Sequence, residues 1–212
     1  MYVLFAQKVL QKKNTFVIKS NNNLKVGNKY KNIHQSIIDK CKKGDTTAQF
    51  ELYKLYYKAM YNTCLRIVNN SVDAEDIMQE TFLKAFDKIN SYKGDVSFGA
   101  WLKKISVNSS LDFLKKRKIE TDEIDEKKIG NIADEDDFNS DIQIQKVNKI
   151  KKAVSELPEN YRVLIVLHLF EGFDHEEISQ ILKISNAAVR TGYSRARKRL
   201  QEILNKRETA YG

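Results

Sequence analysis

Apolar residues recur at helical spacing along most of this chain, and the pattern is clearest near the C-terminus. Ile178, Ile181 and Leu182 follow the spacing i, i+3, i+4, which predicts an amphipathic helix. A polar turn comes next, and Ser185 or Asn186 has a side chain suited to cap a following helix. The predicted buried stripe of that second helix consists of Val189, Tyr193, Ala196 and Leu200. This segment is therefore predicted to form two helices joined by a tight turn.

The opposite side of the second helix is basic and polar. A rotation of about 100° per residue places there Arg190, Thr191, Ser194, Arg195 and Lys198. A helix that is anchored on one side and offers arginines and small hydroxyls on the other is suited to the major groove of DNA. Because many helices are basic on their solvent side, an ordinary helical hairpin is the alternative interpretation.

The same periodicity predicts helices in the first half of the chain, at roughly residues 34–43, 46–69, 73–90 and 98–118. Asp73 is the expected N-cap of the third. The predicted buried stripe of this helix is Ala74, Met78, Phe82, Ala85 and Ile89. Its opposite face carries Asp73, Asp76, Glu80, Leu83 and Asp87. An acidic row with an exposed leucine suits docking against a basic partner helix, whereas a solvated acidic face with one stray leucine is the alternative.

The fourth predicted helix combines aromatic and basic residues. Its expected core face is formed by Leu102, Ile105, Leu111 and Leu114, and its cations are Lys103, Lys104, Lys115, Lys116, Arg117 and Lys118. Aromatic rings stack unpaired bases at about 1–3 kcal/mol each, while lysines hold the phosphate backbone. The candidate rings are Tyr92, Phe98 and Trp101. The alternative for Phe98 and Trp101 is a place in the core, and Tyr92, in a polar loop, is expected to be the most exposed.

Composition narrows the class of protein. Of the 212 residues, 42% are hydrophobic and 31% are charged, with one proline and eight glycines. This composition suits a mostly helical globular protein and excludes a fully disordered chain. The predicted fold class is all-α: two small helical domains joined by a flexible acidic linker, the C-terminal one a helix-turn-helix. The formal charge of +9 favours a polyanionic partner, either nucleic acid or an anionic membrane surface.

The distribution of charge marks the expected domain boundaries. Residues 1–32 contain seven lysines and no acid, which predicts a poorly ordered basic arm. Residues 119–144 contain ten acids against two lysines, which predicts an acidic linker. The two helical domains are then expected to occupy residues 33–118 and 145–206.

No residue pattern predicts enzymatic chemistry. Cys41 and Cys64 lack the C-x-x-C spacing of a metal or redox site and are expected to be buried thiols. His34, His168 and His175 are too scattered in sequence to predict a metal cluster or a catalytic triad. We therefore expect no metal, no cofactor and no catalytic residues. No apolar run approaches the roughly 20 residues of a membrane span and no signal peptide is evident, so a cytoplasmic protein without stable membrane insertion is expected.

Several segments of this chain, taken in order, resemble a known family. They are D-A-E-D-I-M-Q-E-T-F-L-K-A-F (73–86), F-G-A-W-L-K-K-I-S-V-N-S-S-L-D-F-L-K-K-R-K (98–118), L-P-E-N-Y-R-V-L-I-V-L-H-L-F-E-G-F-D-H-E-E-I-S (157–179) and S-R-A-R-K-R-L (194–200). Together with the acidic segment between them, they resemble the bacterial extracytoplasmic-function (ECF) sigma factors of the sigma-70 family. The resemblance covers residues 34–118 and 145–205. It implies a protein that binds core RNA polymerase, directs it to promoters and helps to open the DNA.

The resemblance also implies which residues act in each task. For core-polymerase binding it implies Asp73, Asp76, Gln79, Glu80 and Leu83. For the melted single strand of the −10 element it implies Tyr92, Phe98, Trp101, Lys104, Asn108, Lys115, Lys116, Arg117 and Lys118. For the double-stranded −35 element it implies Ser185, Asn186, Arg190, Thr191, Ser194, Arg195, Arg197 and Lys198. An anti-sigma factor is a further partner common in the family, and no cofactor is implied.

The chain departs from the family pattern in the second helix of its C-terminal motif. Ala187 and Ala188 stand where the family commonly has Gly and Thr, and Gly192 stands where a bulky polar residue is usual. A glycine inside a helix costs about 1 kcal/mol relative to alanine. It also removes one potential DNA contact, so the resemblance does not imply a particular −35 sequence.

Two other functions would explain part of the pattern. A polymerase-independent helix-turn-helix regulator would use residues 145–206 and leave the acidic row and the aromatic, basic helix without a role. An enzyme acting on nucleic acid would need clustered acids for metal ions, whereas the densest acids lie in the predicted linker. Retention by polymerase and a metal-dependent nuclease assay would discriminate these functions.

Overall fold

The computed structural model describes residues 32–121 and 142–210, and all regular secondary structure in these two ranges is helical. The chain divides into two compact units. We call residues 32–121 the N-terminal unit and residues 142–210 the C-terminal unit. The all-α prediction is confirmed for these residues. The predicted basic arm up to residue 31, and residues 122–141 of the predicted linker, lie outside the described residues.

The N-terminal unit consists of helices α1 (Gln35–Lys42), α2 (Thr46–Val68), α3 (Ser71–Asp87) and α4 (Phe98–Thr121), with a short 3-10 helix at Ile89–Ser91. Helices α2, α3 and α4 pack against one another. Their fully or almost fully buried side chains include Leu52, Ile67, Phe82, Leu102 and Val107. The whole predicted stripe of the third helix, from Ala74 to Ile89, is buried, so the sequence periodicity predicted its rotation correctly.

The N-cap prediction for α3 is wrong. Helix α3 begins two residues earlier than expected, and the Oδ1 atom of Asn70 accepts hydrogen bonds from the backbone N–H groups of Val72 (2.9 Å) and Asp73 (3.1 Å). Asn70 caps because its backbone is extended, whereas Asp73 is already inside the first helical turn. The carboxylate of Asp73 still lies at the positive end of the helix dipole.

Asn32, which was assigned to the basic arm, belongs instead to the folded N-terminal unit. Its side chain is buried, and its Nδ2 atom donates to Oη of Tyr92 at 3.1 Å. Cys41 and Cys64 are both buried thiols and form no disulfide, as predicted. Burial raises the pKa of the Cys41 thiol to about 11, with a further contribution from the nearby carboxylate of Asp45. The Cys41 thiol is therefore protonated at neutral pH.

The C-terminal unit consists of α5 (Ile142–Ser155), α6 (Glu159–Ile165), a π-helical segment (Val166–Phe170), α7 (His175–Leu182) and α8 (Asn186–Ala210). Helix α8 packs against α5, α6 and α7. Its buried residues include all four of the predicted stripe, Val189, Tyr193, Ala196 and Leu200. In α7, Ile178 is buried, while Ile181 and Leu182 are half-buried.

Local side-chain bonds fix the start of α7 and the start of α8. At the start of α7, Asp174 and Glu177 form a capping box, in which each side chain accepts the other's backbone N–H at 2.8 Å. At the end of α7, Lys183 adopts a left-handed backbone conformation (φ 56°) that turns the chain. The Oγ atom of Ser185 then accepts from Ala188 N–H at 3.2 Å, so Ser185 is the cap of α8. This is the predicted helix-turn-helix.

The Asn70 cap gives a test of how α3 is held. We expect Asn70→Ala to lower the free energy of unfolding of the N-terminal unit by about 1 kcal/mol, because two backbone N–H groups lose their acceptor. Urea unfolding followed by the fluorescence of Trp101, the single tryptophan of the chain, measures this. Asn70→Asp keeps an oxygen acceptor and is the matched control, and equal stabilities for the two variants would contradict the cap.

Candidate protein and nucleic-acid interfaces

The outer face of α3 carries an exposed acidic and apolar surface. It is opposite the buried stripe, because residues 76, 79, 80 and 83 are rotated by about half a turn from it. We call these residues, Asp76, Gln79, Glu80 and Leu83, the acidic ridge. Leu83 is 71% exposed. The structure thus brings four of the five residues predicted for protein binding onto one face.

The acidic ridge is anchored at one edge. The Oε1 atom of Glu80 is 2.9 Å from Nζ of Lys84, and Lys84 also donates to Oγ of Ser109 on α4 at 3.2 Å. Because Glu80 and Lys84 are both partly exposed, this ion pair contributes little to stability and can open toward a partner. Glu80 therefore remains available to a basic surface.

Asp73, the fifth predicted residue, is placed differently. Its carboxylate is only 27% exposed, and Oδ2 is 3.8 Å from the guanidinium of Arg117 on α4. Arg117 also lies over the ring of Phe113, 5.8 Å from its centroid. The pair links the start of α3 to the end of α4, so a residue predicted for protein binding and one predicted for DNA binding contact each other.

Val72 is a member of this face that the sequence interpretation missed. Its side chain is 67% exposed, and it precedes Asp76, Gln79 and Leu83 at the spacing i, i+4, i+7, i+11. The signal was present in the sequence, but the helix was assumed to start at Asp73, which left Val72 outside it. Two exposed aliphatic side chains therefore lie along the acidic ridge.

Tyr92 contradicts the expectation of an exposed aromatic residue. It is only 3% exposed, and its Oη atom donates to the carbonyl oxygen of Val96 at 2.6 Å while it accepts from Asn32. Nζ of Lys42 donates to the Tyr92 carbonyl oxygen at 2.8 Å. These partners explain the burial, because they satisfy the polar atoms that a loop tyrosine would otherwise expose to water.

Phe98 and Trp101 pack together with Tyr92 at the start of α4. The three ring centroids are 5.4 to 5.5 Å from one another, and Tyr56 adds a further edge contact with Phe98 at 5.4 Å. Phe98 is 1% exposed, so it belongs to the core. Trp101 is half-buried at the rim of this cluster. Of the three rings predicted to stack bases, only Trp101 has a surface that faces outward.

One face of α4 combines Trp101 with polar and basic residues. The rotation per residue places Trp101, Lys104, Asn108 and Lys115 on the same side, away from the buried stripe of Leu102 and Val107. Lys104, Asn108 and Lys115 are all exposed. Lys103, in contrast, is buried and does not belong to this surface. We call this set the α4 face.

The end of α4 adds positive charge on more than one side. Lys116 and Lys118 are exposed, like Lys115, whereas Arg117 is half-buried against Phe113 and Asp73. The four consecutive cations are therefore not equivalent, because Arg117 contacts Asp73 and Phe113 of the same unit.

The exposed face of α8 is a shallow depression with basic and small side chains. Its lining residues are Ala187, Arg190, Thr191, Ser194 and Arg195, which we call the α8 face. Arg197 and Lys198 are exposed further along the helix. The arrangement of guanidinium groups, hydroxyls and a methyl group is the chemistry with which proteins bind base edges and phosphates in a major groove.

Ser185 and Asn186, also predicted to contact DNA, have structural partners. Ser185 caps α8, and Nδ2 of Asn186 donates to Oε2 of Glu176 on α7 at 2.9 Å. Ser185 therefore fixes the start of α8, and Asn186 ties α8 to α7. In this structure they support the α8 face at its first turn.

Gly192 lies beside the buried stripe of α8 and faces α6. A Cβ atom placed on Gly192 would be 2.8 Å from Cδ1 of Leu164, which is closer than carbon atoms pack. Glycine therefore permits close packing of α8 against α6. The contact between residues 164 and 192 cannot be read from local sequence, which predicted only a helix-propensity cost and a lost DNA contact for Gly192.

The described part of the chain lacks membrane-spanning helices and clusters of metal-binding side chains. None of the helices in residues 32–121 and 142–210 is long and apolar enough to cross a membrane. The same residues contain no group of three or more His, Cys, Asp or Glu side chains that could hold a metal ion.

The chain matches two protein-family models, Sigma-70 region 2 over residues 52–119 and Sigma-70, region 4 over residues 148–200. It is 31% identical over 180 residues to the ECF RNA polymerase sigma factor SigW of Bacillus subtilis (strain 168), which covers 79% of this chain and 94% of that protein. It is 30% identical over 156 residues to the ECF RNA polymerase sigma factor SigM of the same strain, which covers 74% and 94%.

Two solved structures are similar to this chain. One is a co-crystal structure of the sigma factor RpoE in complex with the anti-sigma factor NepR from Bartonella quintana, with a TM-score of 0.57 and 28% identity over 73% of this chain and 95% of that one. The other is CnrH in complex with the cytosolic domain of CnrY, with a TM-score of 0.50 and 20% identity over 82% and 97%. The second likeness concerns the fold alone.

The Gly192 contact predicts an unusual pair of effects. Alanine is favoured over glycine in a helix by about 1 kcal/mol, yet we expect Gly192→Ala to gain little stability, because its Cβ must displace Leu164. In a Leu164→Ala background, where that clash is absent, the same change should stabilise α8 by about 1 kcal/mol. The stability of α8 is measured by amide hydrogen exchange in four proteins: the wild type, the two single variants and the double variant. An equal effect of Gly192→Ala in both backgrounds would contradict the packing role.

Proposed function

This chain belongs to the ECF sigma factors of the sigma-70 family, and we propose that its described surfaces divide the tasks of promoter-specific initiation. As a sigma factor, it binds core RNA polymerase and directs it to promoters. The domain assignment that we propose gives residues 33–118 the role of sigma region 2 and residues 145–206 that of region 4. The family-model matches support this assignment. The region 4 match lies inside the proposed limits, and the region 2 match extends beyond them by one residue, at position 119.

The acidic ridge is the proposed binding surface for core polymerase. The observation that carries this proposal is the 71% exposure of Leu83 between Asp76, Gln79 and Glu80, on a helix whose other side is fully packed. Leaving a large aliphatic side chain in water is unfavourable unless a partner covers it, and carboxylates around it select a basic partner. A basic helical surface of the polymerase fits this combination. Asp73, at the start of α3, adds a partly exposed carboxylate beside the acidic ridge.

The α4 face is the proposed contact with the melted −10 element. Trp101 offers one ring surface for stacking an unpaired base, Asn108 offers an amide for hydrogen bonds, and Lys104 and Lys115 offer charge for phosphates. Tyr92 and Phe98 contribute by holding Trp101 through ring contacts rather than by binding a base themselves. Capture of unstacked bases on this face would offset the few kcal/mol that unpairing costs.

The α8 face is the proposed reader of the −35 element. Arg190 and Arg195 supply the planar forks that bind guanine edges or phosphates, and Thr191 and Ser194 supply hydroxyls between them. Arg197 and Lys198 extend the positive charge along the helix for backbone contacts. Each phosphate contact makes binding weaker at higher salt.

Three further features belong to this proposal. The chain performs no catalysis, because opening of the promoter needs binding energy alone and the polymerase supplies the chemistry. It acts where the polymerase and the promoter are, in the cytoplasm. An anti-sigma factor is a third partner, by analogy with the complex of the sigma factor RpoE. A polymerase-independent regulator is the rival, and it leaves the acidic ridge without a purpose.

Charge reversal on the acidic ridge tests the proposal. We expect Asp76→Lys or Glu80→Lys to weaken binding to core polymerase at least tenfold, because like charges would then face each other across the interface, at a cost of about 1.4 kcal/mol or more. The dissociation constant for purified core polymerase, measured at two salt concentrations, reports this change.

Glu51→Lys is the matched control for this experiment. Glu51 is an exposed acid of α2, on a different helix from the acidic ridge. The control makes the same charge change and should bind polymerase nearly as well as the wild type. Binding that is unaffected by both ridge variants, or reduced equally by Glu51→Lys, would refute the docking role.

A further inference from the structure

Three aromatic side chains meet on the inner side of α8. His168 belongs to the π-helical segment, His175 is the first residue of α7, and Tyr193 lies in the buried stripe of α8. The ring centroids of the two histidines are 4.8 Å apart, those of His168 and Tyr193 are 4.6 Å apart, and those of His175 and Tyr193 are 5.3 Å apart. We call these residues the ring cluster. It joins both helices of the helix-turn-helix to the segment that precedes them.

The polar atoms of the ring cluster suit uncharged rings. Nε2 of His175 and Oη of Tyr193 are both buried without a hydrogen-bond partner among the described residues. Nδ1 of His168 is 2.9 Å from the carbonyl oxygen of Phe173, and since a carbonyl only accepts, Nδ1 carries the proton. A charged imidazolium has two N–H donors, so protonation of His175 would bury a charged donor that has no acceptor.

The surroundings of His175 oppose a positive charge on its ring. Burial, His168 and Arg190 on α8 all lower the pKa of His175, while the carboxylate of Asp174 opposes them. His175 also stands at the positive end of the α7 dipole, which disfavours a second positive charge there. Burial raises the pKa of Tyr193, and Arg197 opposes that shift, so Tyr193 is neutral near pH 7.

The carboxylates nearest in sequence are engaged elsewhere. Glu176 accepts from the amide of Asn186, and Glu177 accepts from the backbone N–H of Asp174, at 2.9 and 2.8 Å. The Asp174 carboxylate accepts in turn from the backbone of Glu177. These bonds keep the acids on the outside of the motif, where they cannot serve as acceptors for a buried imidazolium.

We propose that His168 and His175 are positioning residues that hold α8 in its DNA-binding orientation only while the His175 ring is uncharged, so that promoter binding weakens in acid. The inference rests on the proposed −35 role of α8. It adds to that role a pH-sensitive support on the side of α8 that is turned away from the α8 face.

The direction of the pH effect follows from the folded and unfolded states. An unfolded histidine has a pKa of about 6.5, and the folded pKa of His175 is lower. Well above about pH 6.5, His175 is uncharged in both the folded and the unfolded state, and the ring cluster contributes its full stability. As the pH falls through the folded pKa, the unfolded state binds more protons and this contribution is lost. Stability of the C-terminal unit should therefore fall between neutral and mildly acidic pH.

A pH effect can be assigned to a particular histidine, because the chain contains only three of them. The third, His34, lies in the N-terminal unit, where its ring contacts Tyr56 at 5.9 Å. His34→Phe is therefore the matched control for His175→Phe. Both changes replace a titrating ring with an aromatic ring that does not titrate, and only one touches the ring cluster.

The test uses holoenzyme reconstituted with core polymerase and a promoter duplex selected at pH 7.5 from a randomised DNA pool. The ratio of dissociation constants at pH 5.8 and pH 7.5 is measured for each protein. We expect wild type and His34→Phe to lose affinity severalfold more than His175→Phe over this range, because only they carry a titratable ring at position 175. Equal ratios for all three proteins would overturn the inference.

A second measurement does not depend on DNA or on the variant folding. In the free full-length protein, NMR signals of the His175 ring should titrate below pH 6.5, and the amide signals of α8 near Tyr193 should change in the same pH range. A normal or raised His175 pKa, or α8 signals that do not follow it, would also overturn the inference. Failure of every protein to bind a promoter at pH 7.5, with the NMR result intact, would instead refute the proposed −35 role.

Discussion

Burial of one stripe on each functional helix is the constraint on which the rest of this molecule depends. In α8, Val189, Tyr193, Ala196 and Leu200 are all buried, and burial of a large aliphatic side chain such as Val189 or Leu200 contributes about 1.5–3 kcal/mol. An exposed ion pair contributes about 0–1 kcal/mol. The rotation of the helix about its axis is therefore decided by the buried side, and the arginines of the outer side are presented as a consequence. The same holds for α3, where the buried stripe forces Asp76, Glu80 and Leu83 outward.

Because the buried side of each helix decides its rotation, the periodicity of apolar residues in the sequence predicted much of the fold. Both buried stripes, the helix-turn-helix and the outward position of Leu83 are as the apolar spacing indicated. The predictions that failed depended on details that the spacing does not contain. Several capping residues stand in a row before α3, and only the extended backbone of Asn70 decides between them. Tyr92 is buried because Asn32, 60 residues away in sequence, and Val96 satisfy its hydroxyl group.

The sequence predicted the positions of the candidate interface residues about as well as it predicted the fold. Sequence position was enough to place Arg190, Thr191, Ser194 and Arg195 on one surface, because these residues share one helix. It was not enough where two helices meet. The pairing of Asp73 with Arg117 and the packing of Gly192 against Leu164 arise between helices, and each changes what the residue is available to do.

In the proposed function each unit makes a weak contact of its own, and linking the two strengthens binding because tethering raises the effective concentration of the second contact. The most direct measurement is transcription from genomic DNA by purified core polymerase, with and without this chain, followed by mapping of transcript starts. The account predicts that the chain is retained by the polymerase and produces a new set of starts preceded by two shared sequence motifs. A chain that is not retained, with the same starts in both reactions, would contradict it.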